Sequence, residues 1–92
     1  MLKISKHLNW YQYSNKLVIR NLRSSEIFLL DASLKDVWLL ISKGYERDII
    51  YDKLSQSYET PLHNLIEDID DVIHVLQNMN LIYTSSHEFD KE

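Results

Sequence analysis

The stretch KLVIRNLRSSEIFLLDASLKDVW, Lys16 to Trp38, decides the fold. Two β-rich runs, Lys16–Leu22 and Glu26–Leu30, flank the polar break Arg23-Ser24-Ser25. Runs of that kind on either side of a short polar turn predict an antiparallel pair. The apolar spacing then lengthens to the helical period, with Leu34, Val37, Trp38 and Ile41 at i, i+3, i+4 and i+7. Beyond Gly44 the chain reads as helical apart from its last few residues, so the hairpin has few strands to pair with. A sheet that small keeps an exposed edge, whose unpaired N–H and C=O groups can accept another chain.

Working outward, Leu8–Tyr13 (LNWYQY) is short, aromatic and partly alternating, and is expected to form a strand joined to the next by a tight Ser14-Asn15 turn. Within Lys16–Leu22, Leu17, Ile19 and Asn21 face one way while Val18, Arg20 and Leu22 face the other. In Glu26–Leu30, Phe28 and Leu30 share one face, Ile27 and Leu29 the opposite one. Both faces are apolar, which is unusual in an edge strand and is explained most simply by burial on both sides.

Asp31 or Ser33 is expected to cap the first helix, with Ser33 and Asp36 approximating a capping box, and Gly44 to stop it as a C′ glycine. Tyr45–Tyr58 predicts a second amphipathic helix with Ile49, Ile50, Leu54 and Tyr58 on its apolar side. Thr60-Pro61 is a start signal for a third, Thr as N-cap and Pro at N1 where no amide hydrogen is needed. The third helix runs from Pro61 to about Met79, roughly 28 Å long at 1.5 Å per residue. Leu62, Ile66, Ile69, Ile73 and Leu76 form one apolar stripe; Leu65, Val72, Val75 and Met79 lie beside it. A core-facing helix needs an apolar arc of about 100°, and this one offers more: it is wrapped on two sides, or one flank is a surface groove. Asn80 to Tyr83 ends the helix as a short extended segment. We expect residues 1–84 to form a single domain and 85–92 a flexible polar tail.

Composition narrows the function classes. The chain has 92 residues, 45% hydrophobic and 11% aromatic, which are globular values near the lower size for an unstapled core. It has no cysteine, so disulfides, thiolate metal sites and Cys nucleophiles are excluded, and one glycine and one proline leave little room for long loops or a Gly-rich phosphate cradle. A net charge of −4 argues against a domain that lives on nucleic-acid phosphates. With no signal-like apolar run and no stretch near the roughly 18 apolar residues of a membrane span, a cytoplasmic protein with no membrane partner is expected.

No constellation reads as catalytic. Glu67, Asp68, Asp70 and Asp71 sit at spacings that suit a hard cation or an acid/base pair, but a solvated N-terminal half of a helix, where the dipole favours negative charge, is the better explanation of them. A basic peptide is a better partner for them than a reaction. His63 and His74 are too far apart to share a metal, and His7 and His87 lie in terminal segments, so no zinc set converges. Asp70 and His74 form an i, i+4 surface pair. Trp38 reads as a core anchor. Trp10, Tyr11 and Tyr13 lack the interleaved Arg and Lys of a base-stacking surface, and Lys43, Arg47 and Lys53 are scattered. We expect no enzyme activity, no cofactor and no metal.

The order of these elements resembles a known family. A strand pair ending in EIFLLD, a helix bearing Val37-Trp38-Leu39-Leu40, a glycine, a helix ending DKLSQSY and the long EDIDDVIHVLQNMNLI segment resemble the PqqD-like family over roughly residues 8–83. These are the winged-helix recognition elements that bind leader peptides of ribosomally synthesised, post-translationally modified peptides (RiPPs). The chain departs from the usual pattern at Ser24-Ser25, where the turn commonly carries Gly, and at Asn80, before the last Leu. Both tolerate the conformation, Asn being the next-best left-handed residue.

The resemblance implies an α+β winged helix-turn-helix fold, a three-stranded antiparallel sheet followed by three helices. It implies that a leader peptide adds antiparallel to the open strand and packs on the third helix, backbone bonds giving affinity and alternate pockets giving specificity. Mapped onto this chain, Glu26, Ile27, Phe28, Leu29 and Leu30 would offer backbone groups. Leu65, Asp68, Val72, Val75 and Met79 would wall the groove, while Ile66, Ile69, Ile73 and Leu76 hold the core and Ile69 borders the peptide. Asp68 and Asp71 would pair with a basic leader residue. The expected function is that of a stand-alone peptide chaperone presenting its precursor to a separate radical SAM enzyme, leader protease or dehydratase. The alternatives are a winged-helix DNA-binding regulator, for which the helices lack a basic recognition face, and a dimerisation module. A monomer and an edge-mediated homodimer are both compatible with the sequence.

Overall fold

The hairpin announced by Lys16–Leu30 forms, and one further strand pairs on its far side. The computed structural model describes residues 1–85. Its elements run β1 (Leu2–Ile4), β2 (Leu8–Tyr13), β3 (Lys16–Asn21), β4 (Ile27–Leu30), α1 (Ala32–Ser42), α2 (Arg47–Tyr58), α3 (Leu62–Asn78) and β5 (Ile82–Thr84). β2, β3 and β4 make an antiparallel sheet in that order, with Tyr11 opposite Val18 and Val18 opposite Leu29. The fold is an α+β winged helix-turn-helix. β1 and β5 were not foreseen as a pair. They form a separate two-stranded ladder with Lys3 opposite Tyr83, closed by the Met1 ammonium donating to the Ser85 carbonyl at 2.8 Å. Of the expected polar tail, everything after Ser85, His87 included, lies outside the described residues.

One apolar cluster joins sheet and helices. Leu17, Ile19 and Leu30 on the inner sheet face meet Val37, Trp38 and Ile41 of α1, Ile50 and Leu54 of α2, and Ile69, Ile73 and Leu76 of α3. Trp38 is fully buried, as a core anchor should be, and Trp10 meets it edge-on with ring centroids 5.9 Å apart. That arrangement suits the opposed charges of ring face and ring edge, and it places Trp10 on the inner side of the sheet while leaving it 37% exposed.

The helix ends follow one device. After α1, Gly44 at φ 91° donates to the Ile41 carbonyl and Tyr45 to that of Leu40, a Schellman closure on the predicted glycine. α3 closes in the same way on Asn80 at φ 61°, with Leu81 donating to Leu76. α2 closes on Glu59 at φ 53°, with no glycine to mark it.

The expected N-caps differ. Asp31 occupies the cap position of α1 without a side-chain cap bond, because its carboxylate is drawn to the Lys16 ammonium at 3.3 Å. Pro61, not Thr60, is the cap position of α3, and the Thr60 hydroxyl donates back to the Tyr58 carbonyl. On α2 the inward residues are Ile50 and Leu54, while Ile49 is exposed.

Candidate functional site

The free edge of β4 is defined by the turn before it. Asn21 donates its amide to the Glu26 carbonyl at 2.9 Å and accepts from Ser25 at 2.8 Å, with Ser25 held at φ 67°. The Asn21 Oδ1 accepts from the amides of Arg23 and Ser24 and pins the turn from inside. In an antiparallel ladder hydrogen-bonded and non-bonded pairs alternate. Counting on from the Asn21–Glu26 pair, Phe28 and Leu30 aim their backbone groups at β3. Ile27 and Leu29 aim theirs at the open side, where no strand pairs among the described residues. Glu26 was expected to offer backbone groups as well; its carbonyl is bound by Asn21 and its amide by the Ser24 hydroxyl at 3.2 Å, so it is spent within the hairpin.

The side chains of β4 correct a second expectation. Phe28 and Leu30 turn inward as expected, but Ile27 and Leu29 are not buried on the other face: they are 62% and 64% exposed. The outer face of the sheet is open.

Beyond the end of β4 the chain turns sharply into α1 through Ala32 at φ 49°. Ser33 then lies three residues from Leu30, at most about 10 Å of extended chain. It stands at one end of a cavity of about 220 Å³ whose other walls are Leu54 and Tyr58 of α2 and Leu65, Asp68, Ile69 and Val72 of α3. This concavity is apolar at its base and polar at its rim, the pattern of a site that takes a side chain and fixes its orientation. A larger, open depression of about 530 Å³ lies between α1 and α2, lined by Leu39, Leu40, Lys43, Lys53 and Leu54, away from the strand edge.

The phase of α3 is shifted in its first turns from the one expected. Leu65, Ile69, Ile73 and Leu76 are buried, whereas Ile66 is half-buried and Leu62 exposed. Leu65 is therefore a core residue whose flank reaches the cavity, rather than a free groove wall, because α2 crosses α3 at this end. Val72 is half-buried and lines the cavity; Asp68 is exposed at its rim. Val75 is 43% exposed further along the helix, Met79 packs partly on the core, and Asp71 faces solvent.

The acidic cluster divides in two. Asp70 accepts from Arg47 at 2.9 Å and from the Tyr51 hydroxyl, clamping α2 to α3. Burial, followed by the bond to Asp70, pushes the Tyr51 phenol above its ordinary pKa. Tyr58 at the cavity rim donates to Asp36 at 2.5 Å, and burial followed by that bond pushes its phenol up as well. Among the described residues no group of three or more His, Cys, Asp and Glu converges to hold a metal ion. No helix among them is long and apolar enough to cross a membrane.

No protein-family model and no curated protein sequence matches the chain. Two solved structures share its fold. TbiB1 in complex with the TbiA(beta) leader peptide matches with a TM-score of 0.82 at 24% identity, covering 91% of this chain and 98% of that one. Lasso peptide synthetase B1 complexed with the leader peptide matches with a TM-score of 0.79 at 16% identity, covering 90% and 98%.

Proposed function

We propose that this chain is a PqqD-like RiPP recognition element: it binds the leader of a precursor peptide along the free edge of β4 and presents it to a separate maturation enzyme. The observation that carries the reading is the joint presence of a strand with one edge free among the described residues and, beside its end, a concavity walled by α3. Both fold relatives were captured with a leader peptide. The amides and carbonyls of Ile27 and Leu29 pair with the peptide backbone. One peptide side chain enters the cavity between Leu65, Ile69 and Val72, and Asp68, with Asp71 beyond it, attracts a basic leader residue. Val75 and Met79 continue the wall toward the end of α3.

The work done is positioning. A tethered substrate meets the enzyme at an effective concentration set by the complex rather than by diffusion. A radical SAM enzyme, a leader protease and a dehydratase are all served by such a carrier, in a cytoplasmic setting and with the carrier as monomer or edge-mediated dimer. The test is a substitution on the free edge. Proline at Leu29 deletes an amide that the ladder does not use, so Leu29→Pro abolishes binding of a labelled leader peptide while circular dichroism stays that of the wild type. Unchanged affinity would remove β4 as the docking strand.

A further inference from the structure

The outer face of the three-stranded sheet has no role in gripping a peptide edge-on, yet it is not an ordinary solvated surface. Tyr11, Val18 and Leu29 form a row across all three strands, and Arg20 stands opposite Ile27 in the next row but one. Tyr11 is 59% exposed and Tyr13 71%, alongside the exposed Ile27 and Leu29. Aliphatic and aromatic residues exposed in one contiguous patch mark interaction sites more often than chance does. The patch also has a distinct electrostatic setting. The chain before Glu26 carries Lys3, Lys6, Lys16, Arg20 and Arg23 and no acidic residue, whereas all 14 Asp and Glu lie from Glu26 onward. Lys16 is neutralised by Asp31, but the Arg20 guanidinium has no ion-pair partner among the described residues.

We propose that this outer face docks the peptide-processing enzyme through an apolar surface bearing carboxylates, and that a leader peptide added at β4 enlarges the face. The proposal rests on the binding mode given above. Side chains of successive strand residues point to opposite sides, so a peptide paired with Ile27 and Leu29 sends alternate side chains toward α3 and the others outward beside Ile27 and Leu29, extending the row that Val18 and Tyr11 continue across the sheet. An enzyme seated there touches carrier and cargo together and distinguishes loaded carrier from empty. The exposed aliphatics favour a protein over a nucleic acid, whose phosphates need a denser set of cations than this face carries. Charge complementarity to Arg20 favours an acidic partner over a second copy of the same basic face.

The experiment uses Arg20→Glu and Tyr11→Ser, on β3 and β2 behind β4, so that neither changes a backbone group of the free edge or a residue lining the cavity. Labelled leader peptide is titrated into each variant, and each is titrated, with and without leader, into the purified maturation enzyme encoded in the same gene cluster. Leader affinity is expected to stay within twofold of wild type. Enzyme affinity is expected to rise with leader present, to fall at least tenfold in Arg20→Glu, and to weaken with salt as exposed charge contacts do. Enzyme binding unaffected by both substitutions overturns the proposal, whether or not leader binds. Absence of leader binding in the wild type, with enzyme binding still sensitive to Arg20→Glu, keeps the docking face and removes the leader-binding function. Concentration-dependent dimerisation lost in Arg20→Glu, or saturable binding of a single-stranded oligonucleotide, assigns the face to that other occupant and overturns the proposal too.

Discussion

Ser25, Glu59 and Asn80 hold left-handed backbone at φ 67°, 53° and 61°, a region where a side chain costs roughly 1 kcal/mol relative to glycine. The single glycine is spent at Gly44, so the other closures are made by residues that pay this strain. Glu59→Gly is therefore expected to stabilise the protein by about 0.5–1 kcal/mol, despite the entropy that glycine adds to the unfolded chain. The check is a higher urea midpoint at unchanged m value. Asn80→Gly should gain less, because Asn already tolerates the region. The turn and the last helix end departed from the family pattern at Ser24-Ser25 and Asn80, and Ser25 and Asn80 are positions where the backbone asks for glycine.

Tyr58 gives a pH signature. Its neutral phenol is favoured in the fold by burial and by donation to Asp36. Raising the folded-state pKa above the unfolded value of about 10 makes this contribution complete below pH 10. It is lost as pH rises from there through the folded value. Tyr58→Phe should flatten this alkaline loss, read from urea midpoints measured across that range. An alkaline limb as steep as the wild type's would show that Tyr58 does not cause it.

At the scale of elements, the β4 edge and the α3 wall separate what was legible from what was not. The hairpin and three helices could be read because strand alternation and the 3.6-residue period are local signals, and Trp38 could be placed in the core from its phase alone. The β1–β5 ladder could not, since two three-residue strands at opposite ends of the chain carry no period and pair only once the core brings them together. The phase of α3 was right at Ile69, Ile73 and Leu76 and wrong one turn earlier, where Leu65 and Ile66 are adjacent apolar residues and only the crossing with α2 chooses between them. The open outer face of β4 was missed for the same reason: an apolar run reads as buried until the layers around it are known.

Ile73→Ala, in the fully buried stripe, should cost about 2–5 kcal/mol, measured by chemical denaturation. Asp68→Lys, at the exposed rim, should leave stability within about 0.5 kcal/mol and weaken a leader with a basic residue at the facing position. Phe28→Pro removes an amide that the ladder uses and should unfold the sheet, in contrast to Leu29→Pro. Equal damage by the two prolines would mean that the register of free and bonded groups on β4 has been misassigned.

For the molecule as a whole, the proposed carrier role rests on three features together: the three-stranded sheet with a free β4 edge, the cavity at the start of α3, and the separation of a basic N-terminal segment before Glu26 from acidic helices. The measurement that tests this most directly is an anisotropy titration of a fluorescently labelled leader peptide, from the precursor encoded beside this chain, into wild type and Leu29→Pro. Saturable binding at or below concentrations on the order of tens of micromolar, lost in Leu29→Pro, is the predicted result. No saturation in the wild type, or equal binding by both proteins, would contradict it.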